Sequence, residues 1–436
     1  MPKASAAGFC AIDFGTSNSA LALQAAGGAV ELVELEAGLR TMPTAVFYLS
    51  ETHGAEAGRA YGRAALAAYV DGLDGRLMRS MKSILGSPLV EQGTDIGAGR
   101  SVRYLDVIAG YLRHLKALAE ARAGHPIRRV VLGRPVFFVD DDPERDRAAA
   151  HALERAARAV GFDEVRFQYE PIAAALDHES QVEREQTLLV ADIGGGTSDF
   201  SLVRIGPQRR KRVERKDDIL ANHGVHLAGT DFDRHVELAA ILPLLGYRAF
   251  GPARPGELPR EVPSGVYFDL ATWHLINTVY TPARVAELRR MGSFYAERRH
   301  HQRLMTVLEQ RLGHALAARA EAAKIEVATR GDAAIDLGEA EPGLIATLGV
   351  AQAAAAIEAD LARIVATAAE TARLAGLPPA AVDTLYFTGG STGLQPLVER
   401  IAAVFPAARV VRGDRFASVA TGLGVHAARL FAGGAQ

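Results

Sequence analysis

The sequence predicts an α/β protein made of two related lobes. Three observations carry that prediction. Short apolar runs bounded by glycine alternate with longer segments whose apolar residues recur at helical spacing. One hairpin pattern, with an aspartate and glycine at its tip, occurs twice, at Ala11–Ser17 and at Ala191–Ser198. A stretch of shifted composition, Ile241–Arg303, interrupts the second half.

The elements follow in chain order. Phe9–Phe14, Ser19–Gln24, Val30–Glu36 and Thr44–Leu49 read as strands. Ala55–Val70 reads as an Ala-rich helix. Asp106–Ala123 is a helix with Ile108, Leu112, Leu115 and Leu118 on one face and Gly124 at its end. Arg129–Gly133 is a buried strand closed by Pro135. Pro143–Val160 is a helix with Asp140-Asp141-Asp142 before its positive dipole end and Gly161 as its stop. Thr187–Ile193 and Ser198–Ile205 are strands joined through Gly194-Gly195-Gly196. Arg209-Arg210-Lys211-Arg212 reads as a solvated turn, with an anion-binding patch as the alternative. Ala315–Ala328, Val350–Gly376 and Pro396–Val404 are helices, and Asp383–Thr388 is a strand running into Gly389-Gly390.

Ile241–Arg303 is rich in Pro and Gly early (Gly251, Pro252, Pro255, Gly256, Pro259, Pro263) and holds the only tryptophan, Trp273. This marks an insertion. The aromatics of Tyr267–Trp273 either fill a local core or present a partner surface. His300-His301 and Arg289, Arg290, Arg298, Arg299 and Arg303 read as a solvated basic helix, with a partner surface as the alternative; no ligand pattern there supports a metal.

Composition sets the outer bounds. A chain of 436 residues, 49% apolar and 23% charged, excludes wholesale disorder and suits two or three domains. Lys and Arg total 49 against 51 Asp and Glu, which excludes a global basic surface for nucleic acid or anionic membrane. The single cysteine, Cys10, excludes an intrachain disulfide framework and reads as a small buried strand residue. No apolar run approaches the roughly eighteen residues of a membrane helix. The first residues lack the apolar stretch of a signal peptide, so the expected location is the cytoplasm.

The repeated hairpin has a specific chemistry. Successive N–H groups at a glycine tip form a nest for phosphate oxygens. An aspartate there would repel bare phosphate but suits a cation held between the two, and Mg²⁺ takes one or two carboxylates with waters and phosphates. Two such hairpins facing each other would grip one magnesium–polyphosphate. The Gly-x-x-x-x-Gly-Lys-Ser/Thr loop is absent, and no Gly-x-Gly-x-x-Gly opens a helix near the start, which excludes the two commoner nucleotide folds.

Asp13-Phe14-Gly15-Thr16-Ser17-Asn18-Ser19 resembles the first phosphate loop of the superfamily of actin, sugar kinases and DnaK-type chaperones. Asp192–Asp199 resembles the second, Glu170–Leu176 the first connecting segment, Phe387–Thr392 the adenosine motif and Ser418–Gly424 the second connecting segment. Met81–Gly86, Leu227–Asp233 and Glu321–Lys324 are similar to segments of the DnaK-type branch, and the Tyr267–His274 insertion resembles its short YegD-like members. The implied fold is α/β, with two duplicated actin-like (ribonuclease H-like) lobes around a nucleotide cleft. Lobe I would span 1–185 with an insertion at about 40–105, and lobe II 186–436 with one at about 235–312. Ile325 and Gly393 stand where the branch places adenine-stacking arginines, so an apolar contact from Ile325 is expected instead. The chain ends twelve residues after Gly424, so the expectation is a nucleotide-binding unit without a client-binding domain.

The resemblance implies ATP or ADP with Mg²⁺ as ligands. Asp13 and Asp192 would serve the metal; the alternative is strand-end acids capping a turn. Gly15, Thr16, Ser17 and Asn18, with Gly194, Gly195, Gly196 and Thr197, would meet the phosphates. Gly229, Thr230, Glu321, Lys324, Ile325, Gly389, Gly390 and Ser391 would complete the nucleotide site. Lys82 would stabilise charge in phosphoryl transfer, or else line a surface with Arg79. Glu170, held extended or in a turn before Pro171, would orient the attacking water. Thr197 and Asp199 would place that water and accept its proton. Glu321 and Lys324 share a helix face, as ribose contacts or as a surface ion pair. The implied activity is slow Mg²⁺-dependent hydrolysis of ATP coupled to lobe closure in a chaperone, with a client or co-chaperone as partner and no nucleic acid or membrane. The alternatives are a sugar-type kinase, a filament protein and a nucleotide-dependent partner-binding module without turnover.

Overall fold

The computed structural model describes residues 8–25, 28–50, 58–97, 99–139, 142–253, 256, 258–414 and 417–432. Asp140, Asp141, Pro255 and the first three residues of the expected Ala55–Val70 helix lie outside them.

β1 (Gly8–Phe14) and β2 (Asn18–Gln24) form an antiparallel hairpin, and β3 (Val30–Leu32) and β4 (Thr41–Pro43) both pair with β2. β5 (Ala45–Leu49), β6 (Arg59–Tyr61), α1 (Gly62–Val70) and β7 (Gly75–Arg79) then build a small sheet, in the order β6-β5-β7, with α1 packed on it. The expected helix is therefore shorter: Arg59–Tyr61 pairs as a strand, and Gly62 turns the chain at φ 60, a conformation that would strain a larger residue. β8 (Gly93–Asp95) and β9 (Ser101–Arg103) form a short hairpin before α2 (Tyr104–Ala123). β10 (Ile127–Arg134), α3 (Pro143–Ala159) and β11 (Glu164–Tyr169) complete the first large sheet, with order β11-β10-β1-β2-β3. Asp142 caps α3 by accepting from the Arg145 N–H at 3.0 Å.

α4 (Glu170–Glu179) leads into the second large sheet. Its strands are β12 (Gln186–Ile193), β13 (Ser198–Ile205), β14 (Ile219–Val225), β17 (Thr384–Thr388) and β18 (Arg409–Arg412), in the order β14-β13-β12-β17-β18. Each large sheet contains one antiparallel meander, β1-β2-β3 or β12-β13-β14. Each continues with two strands parallel to its first, β10-β11 or β17-β18. The two sheets thus share strand order and sense. In the Arg209–Arg212 turn Lys211 and Arg212 are exposed, as a solvated turn requires, but the Arg209 guanidinium is engaged: it pairs with Glu185 at 2.8 Å and with Asp218, which Arg215 also engages.

α5 (Gly229–Val236) opens a helical block that the strand and helix patterns did not resolve. It continues through a π-helical turn, Glu237–Ile241, then α6 (Gly265–Leu270), α7 (Pro282–Arg290), α8 (Arg298–Glu309) and α9 (Gly313–Arg330). Tyr267 is fully buried there, with its hydroxyl 2.9 Å from both Leu245 O and the Tyr295 hydroxyl, so this aromatic fills a local core. On α8 Arg298 is exposed, while Arg299 and Arg303 both engage Glu341, and Glu309 at its end engages Arg289 of α7. A hairpin of β15 (Asp332–Asp336) and β16 (Ile345–Gly349) precedes α10 (Val350–Leu374). α11 (Gln395–Val404) separates β17 from β18, and α12 (Ser418–Ala432) closes the fold.

α4 and α12 pack together between the two large sheets. One core, including Phe9, Ala11, Val131, Ile172, Val190 and Leu423, joins residues of both sheets to both helices. Cys10 is buried in β1. Among the described residues, no helix is long and apolar enough to cross a membrane.

Candidate functional site

The two hairpins bring their tips together. A Cβ built on Gly195 would lie 3.0 Å from Ser17 Oγ. In the first hairpin Asp13 lies opposite Ala20; in the second Asp192 lies opposite Asp199. Two carboxylates facing across one strand pair repel each other, so the second hairpin concentrates negative charge where the first carries a single acid.

The Gly194–Gly196 turn is held from several sides. Gly194 N donates to Thr197 O at 3.0 Å. The Thr230 N–H and hydroxyl both donate to Gly195 O at 2.8 Å, and the Ser391 hydroxyl donates to Gly194 O at 2.7 Å. Gly229, Thr230, Gly389, Gly390 and Ser391 therefore gather around this tip. The Thr197 side chain hydrogen-bonds with Asp199.

Lys82 reaches the same place from the peripheral sheet. It sits in a 3-10 turn, Met81–Ile84, just after β7, and its Nζ is 2.5 Å from Glu170 Oε1. The two side chains are only 10% and 16% exposed, which excludes the surface reading for Lys82. Glu170 is not in an extended segment: it is the first residue of α4. Pro171 is tolerated behind it because the first turn of a helix leaves its N–H groups unpaired in any case.

Asp13, Asp192, Asp199 and Glu170 crowd around one lysine. Burial pushes the Asp13 carboxyl up to about 8, helped by Glu170 and Asp192 and opposed by Lys82. Asp192 is pushed up to about 7 by burial, then by Asp199 and Glu170. Burial also raises Asp199. For Lys82 burial works against the charge, but Glu170, Asp13 and Asp199 outweigh it and raise its pKa.

Lys324 does not pair with Glu321. It forms an ion pair with Asp233 at 2.6 Å and donates to Gly229 O at 3.3 Å, while Glu321 is exposed beside them. The surface-pair reading of Glu321 and Lys324 fails because α5 supplies a nearer acid, and burial lifts that acid, Asp233, to about 6. Asp233 ends the Leu227–Asp233 segment that resembles the DnaK-type branch, but it is given no role of its own there. Ile325, 54% exposed, projects beside this pair.

The family model of the Hsp70 protein matches residues 9–239, more than half of the chain and a span that holds both hairpins, Lys82, Glu170 and α5. This chain belongs to the Hsp70 family. The family has the actin-like ATPase fold, with which the mixed α/β architecture agrees. An Hsp70 chain carries an ATP-binding, chaperone-type function, binding adenine nucleotide with Mg²⁺ and typically clients and co-chaperones.

The donor set of this Hsp70 chain fits Mg²⁺. No three His, Cys, Asp or Glu among the described residues stand close enough to hold a metal alone. Mg²⁺ needs no such cage, since it keeps waters and takes phosphate oxygens. The excess of buried carboxylates over cations at the tips is what such an ion would relieve.

The raised acids make stability depend on pH. A carboxyl whose folded pKa exceeds its unfolded value loses its stabilising proton as pH rises toward the folded value. His314 and His426, both lowered to about 4, act in the opposite sense, but their effect is complete above about pH 6.5. Nucleotide-free protein is therefore expected to melt at progressively lower temperature from pH 6.5 to 8, and Asp13→Asn to flatten that slope. Calorimetric melts of both proteins across this range check it; an equal slope in Asp13→Asn would refute the assignment to Asp13.

Proposed function

We propose that the chain is a slow Mg²⁺-dependent ATPase of the DnaK type that converts ATP and water to ADP and phosphate and couples nucleotide state to cleft closure. The observation that carries this is the buried Lys82–Glu170 pair set beside Asp13, Asp192 and Asp199 where two glycine tips meet. In this reading residues 1–185 and 186–436 are lobes of common origin, and their shared strand order supports it. Peripheral parts at about 40–105 and 235–312 complete them, in an arrangement like that of the short YegD-like members.

The N–H groups of Gly15–Asn18 and Gly195–Thr197 hold the β- and γ-phosphates, while the Gly194 N–H, given to Thr197 O, holds the turn in shape. Asp13 and Asp192 hold Mg²⁺, which when bound neutralises phosphate charge. Lys82 stabilises the charge on the transferring phosphoryl group. Glu170 orients the attacking water, and Asp199, hydrogen-bonded with Thr197, takes its proton. Gly229, Thr230, Lys324, Glu321, Ile325 and Gly389–Ser391 line the nucleoside side. The chaperone role, with a protein client or co-chaperone, rests on the family.

The test is ATP binding and single-turnover hydrolysis with and without Mg²⁺. Wild type is expected to bind and hydrolyse ATP only with Mg²⁺, and Asp13→Ala and Asp192→Ala to lose both. Hydrolysis by either variant at the wild-type rate would falsify the assignment. A second reading, a nucleotide-dependent partner-binding module without turnover, is favoured by Lys82 being engaged by Glu170. Tight retention of unhydrolysed ATP by wild type would select it.

A further inference from the structure

The polar groups that line the way outward from the hairpin tips are engaged within the protein. At the tips the Thr230 N–H and hydroxyl both go to Gly195 O, and the Ser391 hydroxyl goes to Gly194 O. Gly229 packs against the same serine, since a Cβ built there would stand 2.6 Å from Ser391 Oγ. One step further out, Lys324 Nζ is shared between Asp233 and Gly229 O. Asp231 accepts from the Ala228 N–H at 3.0 Å. In the Gly390–Gly393 turn the Thr392 hydroxyl donates to Gly389 O at 2.7 Å, and the Thr392 and Leu394 N–H groups close on Gly389 O and Ser391 O.

The next residues of α9 are of a different kind. Glu321, Ile325 and Ala328 recur at helical spacing, so they share one face, and all three are exposed. Ile325 keeps 54% of its surface open. The neighbouring Thr329 hydroxyl turns back on Ile325 O and Glu326 O of its own helix. Gly390 and Gly393 bring no side chain. A carboxylate accepts only, and a hydroxyl whose hydrogen is committed can still accept. The side-chain capacity that these residues leave to a ligand is therefore acceptance, at Glu321, Thr230 and Ser391, beside the aliphatic surface of Ile325.

Acceptors alone do not tell one purine from another. Adenine and guanine each carry an amine that can donate, and what separates them is the donor that guanine's O6 requires and adenine's amine refuses. A site that hydrogen-bonds a group of its substrate rejects an analogue lacking it by about 10⁴–10⁵-fold, whereas an apolar pocket discriminates by about 10²-fold or less. We propose that the nucleoside end of this site holds purine bases by apolar contact with Ile325 and leaves their edges unread, so that guanine and hypoxanthine nucleotides bind alongside adenine ones. This rests on the reading of the hairpin tips as a nucleotide site. The phosphates and ribose are common to all these ligands, so the tips and Glu321 meet each of them alike, and Ile325 sets affinity without setting the choice of base.

The experiment displaces N-methylanthraniloyl-ADP from the full chain, with Mg²⁺, by ATP, GTP or ITP. GTP and ITP are expected to compete within about tenfold of ATP, inside the range of an apolar contact. Ile325→Ser is expected to weaken ATP and GTP by a common factor of at least about threefold, the scale of losing one buried methylene contact, and to leave their ratio as in wild type. Ile325 is exposed, so a melting curve near that of wild type shows that the variant is folded. Competition by GTP more than about tenfold weaker than by ATP would overturn the proposal and leave the nucleotide site standing. Ile325→Ser binding both nucleotides as tightly as wild type would overturn it equally, by removing Ile325 from the base. No binding of the labelled ADP by wild type would overturn the nucleotide site and this proposal with it.

Discussion

Lys82→Ala is expected to lower single-turnover ATP hydrolysis by about 10²-fold or more, the scale for removing one preorganised charge-stabilising group from a buried site. The expectation follows from its surroundings. Lys82 is the cation 2.5 Å from Glu170, in a pocket where Asp13, Asp192 and Asp199 supply carboxyl groups and no positive charge. Its ammonium is already desolvated and fixed, so it needs little reorganisation when charge develops on a phosphoryl group. Nucleotide affinity should change far less, because on the proposed assignment the N–H groups of the glycine tips, and not Lys82, hold the phosphates. Removing the lysine also leaves Glu170 buried beside other acids, which destabilises the protein. Lys82→Met, which keeps the aliphatic stem, and a melting curve separate that effect from catalysis. Retained binding with lost hydrolysis in both variants is the expected pattern. Hydrolysis at the wild-type rate in Lys82→Met would make the lysine a structural partner of Glu170.

Gly422→Ala is expected to cost the fold about 3 kcal/mol, the upper part of the range for overpacking, seen as a fall of roughly 6–12 °C in melting temperature. A Cβ at Gly422 would lie 1.9 Å from the Ala173 carbonyl oxygen and 2.5 Å from its carbon. Those are backbone atoms inside α4, so no rotamer change relieves the clash and α12 must move bodily. The displacement would propagate into the core shared by both sheets, because Val419, Leu423 and Ala427 pack there. Gly349→Ala is the matched control. Its Cβ would meet nothing within 4 Å and its φ is −104, so it should melt within a few degrees of wild type. Equal melting of the two variants would show that α4 and α12 tolerate separation.

Local pattern and long-range pairing were unequally legible in the sequence. Asp13 and Asp192 were readable because each sits in a hairpin whose apolar alternation and glycines are contiguous. The β12–β13 pair, Gln186–Ile193 and Ser198–Ile205, was placed to within a residue for the same reason. Glu170 beginning a helix was obscured by Pro171, whose usual effect is to keep its predecessor extended. The Lys82–Glu170 contact joins residues 88 positions apart, and no periodicity encodes it; it depends on how the peripheral sheet is set against the first large sheet. The Asp233–Lys324 pair is of the same kind. Arg209 sat in a run that looked solvated, yet it is engaged by Asp218, at the far end of its own turn, and by Glu185, 24 residues earlier and just before β12.

The placement of α12 has a consequence for the growing chain. β1 and β2 leave the ribosome long before α12, yet α12 packs on β1, β2, β3 and β10 as well as on α4. Phe431 closes on Phe9 with ring centroids 5.5 Å apart. About 240 residues separate the end of α4 from the start of α12, some 12–50 s of synthesis at about 5–20 residues per second. Throughout that interval the apolar seat formed by Phe9, Ala11, Ala22 and Val131 lacks its cover. The apolar seat beside the hairpin carrying Asp13 therefore stays open to other chains until α12 has been made.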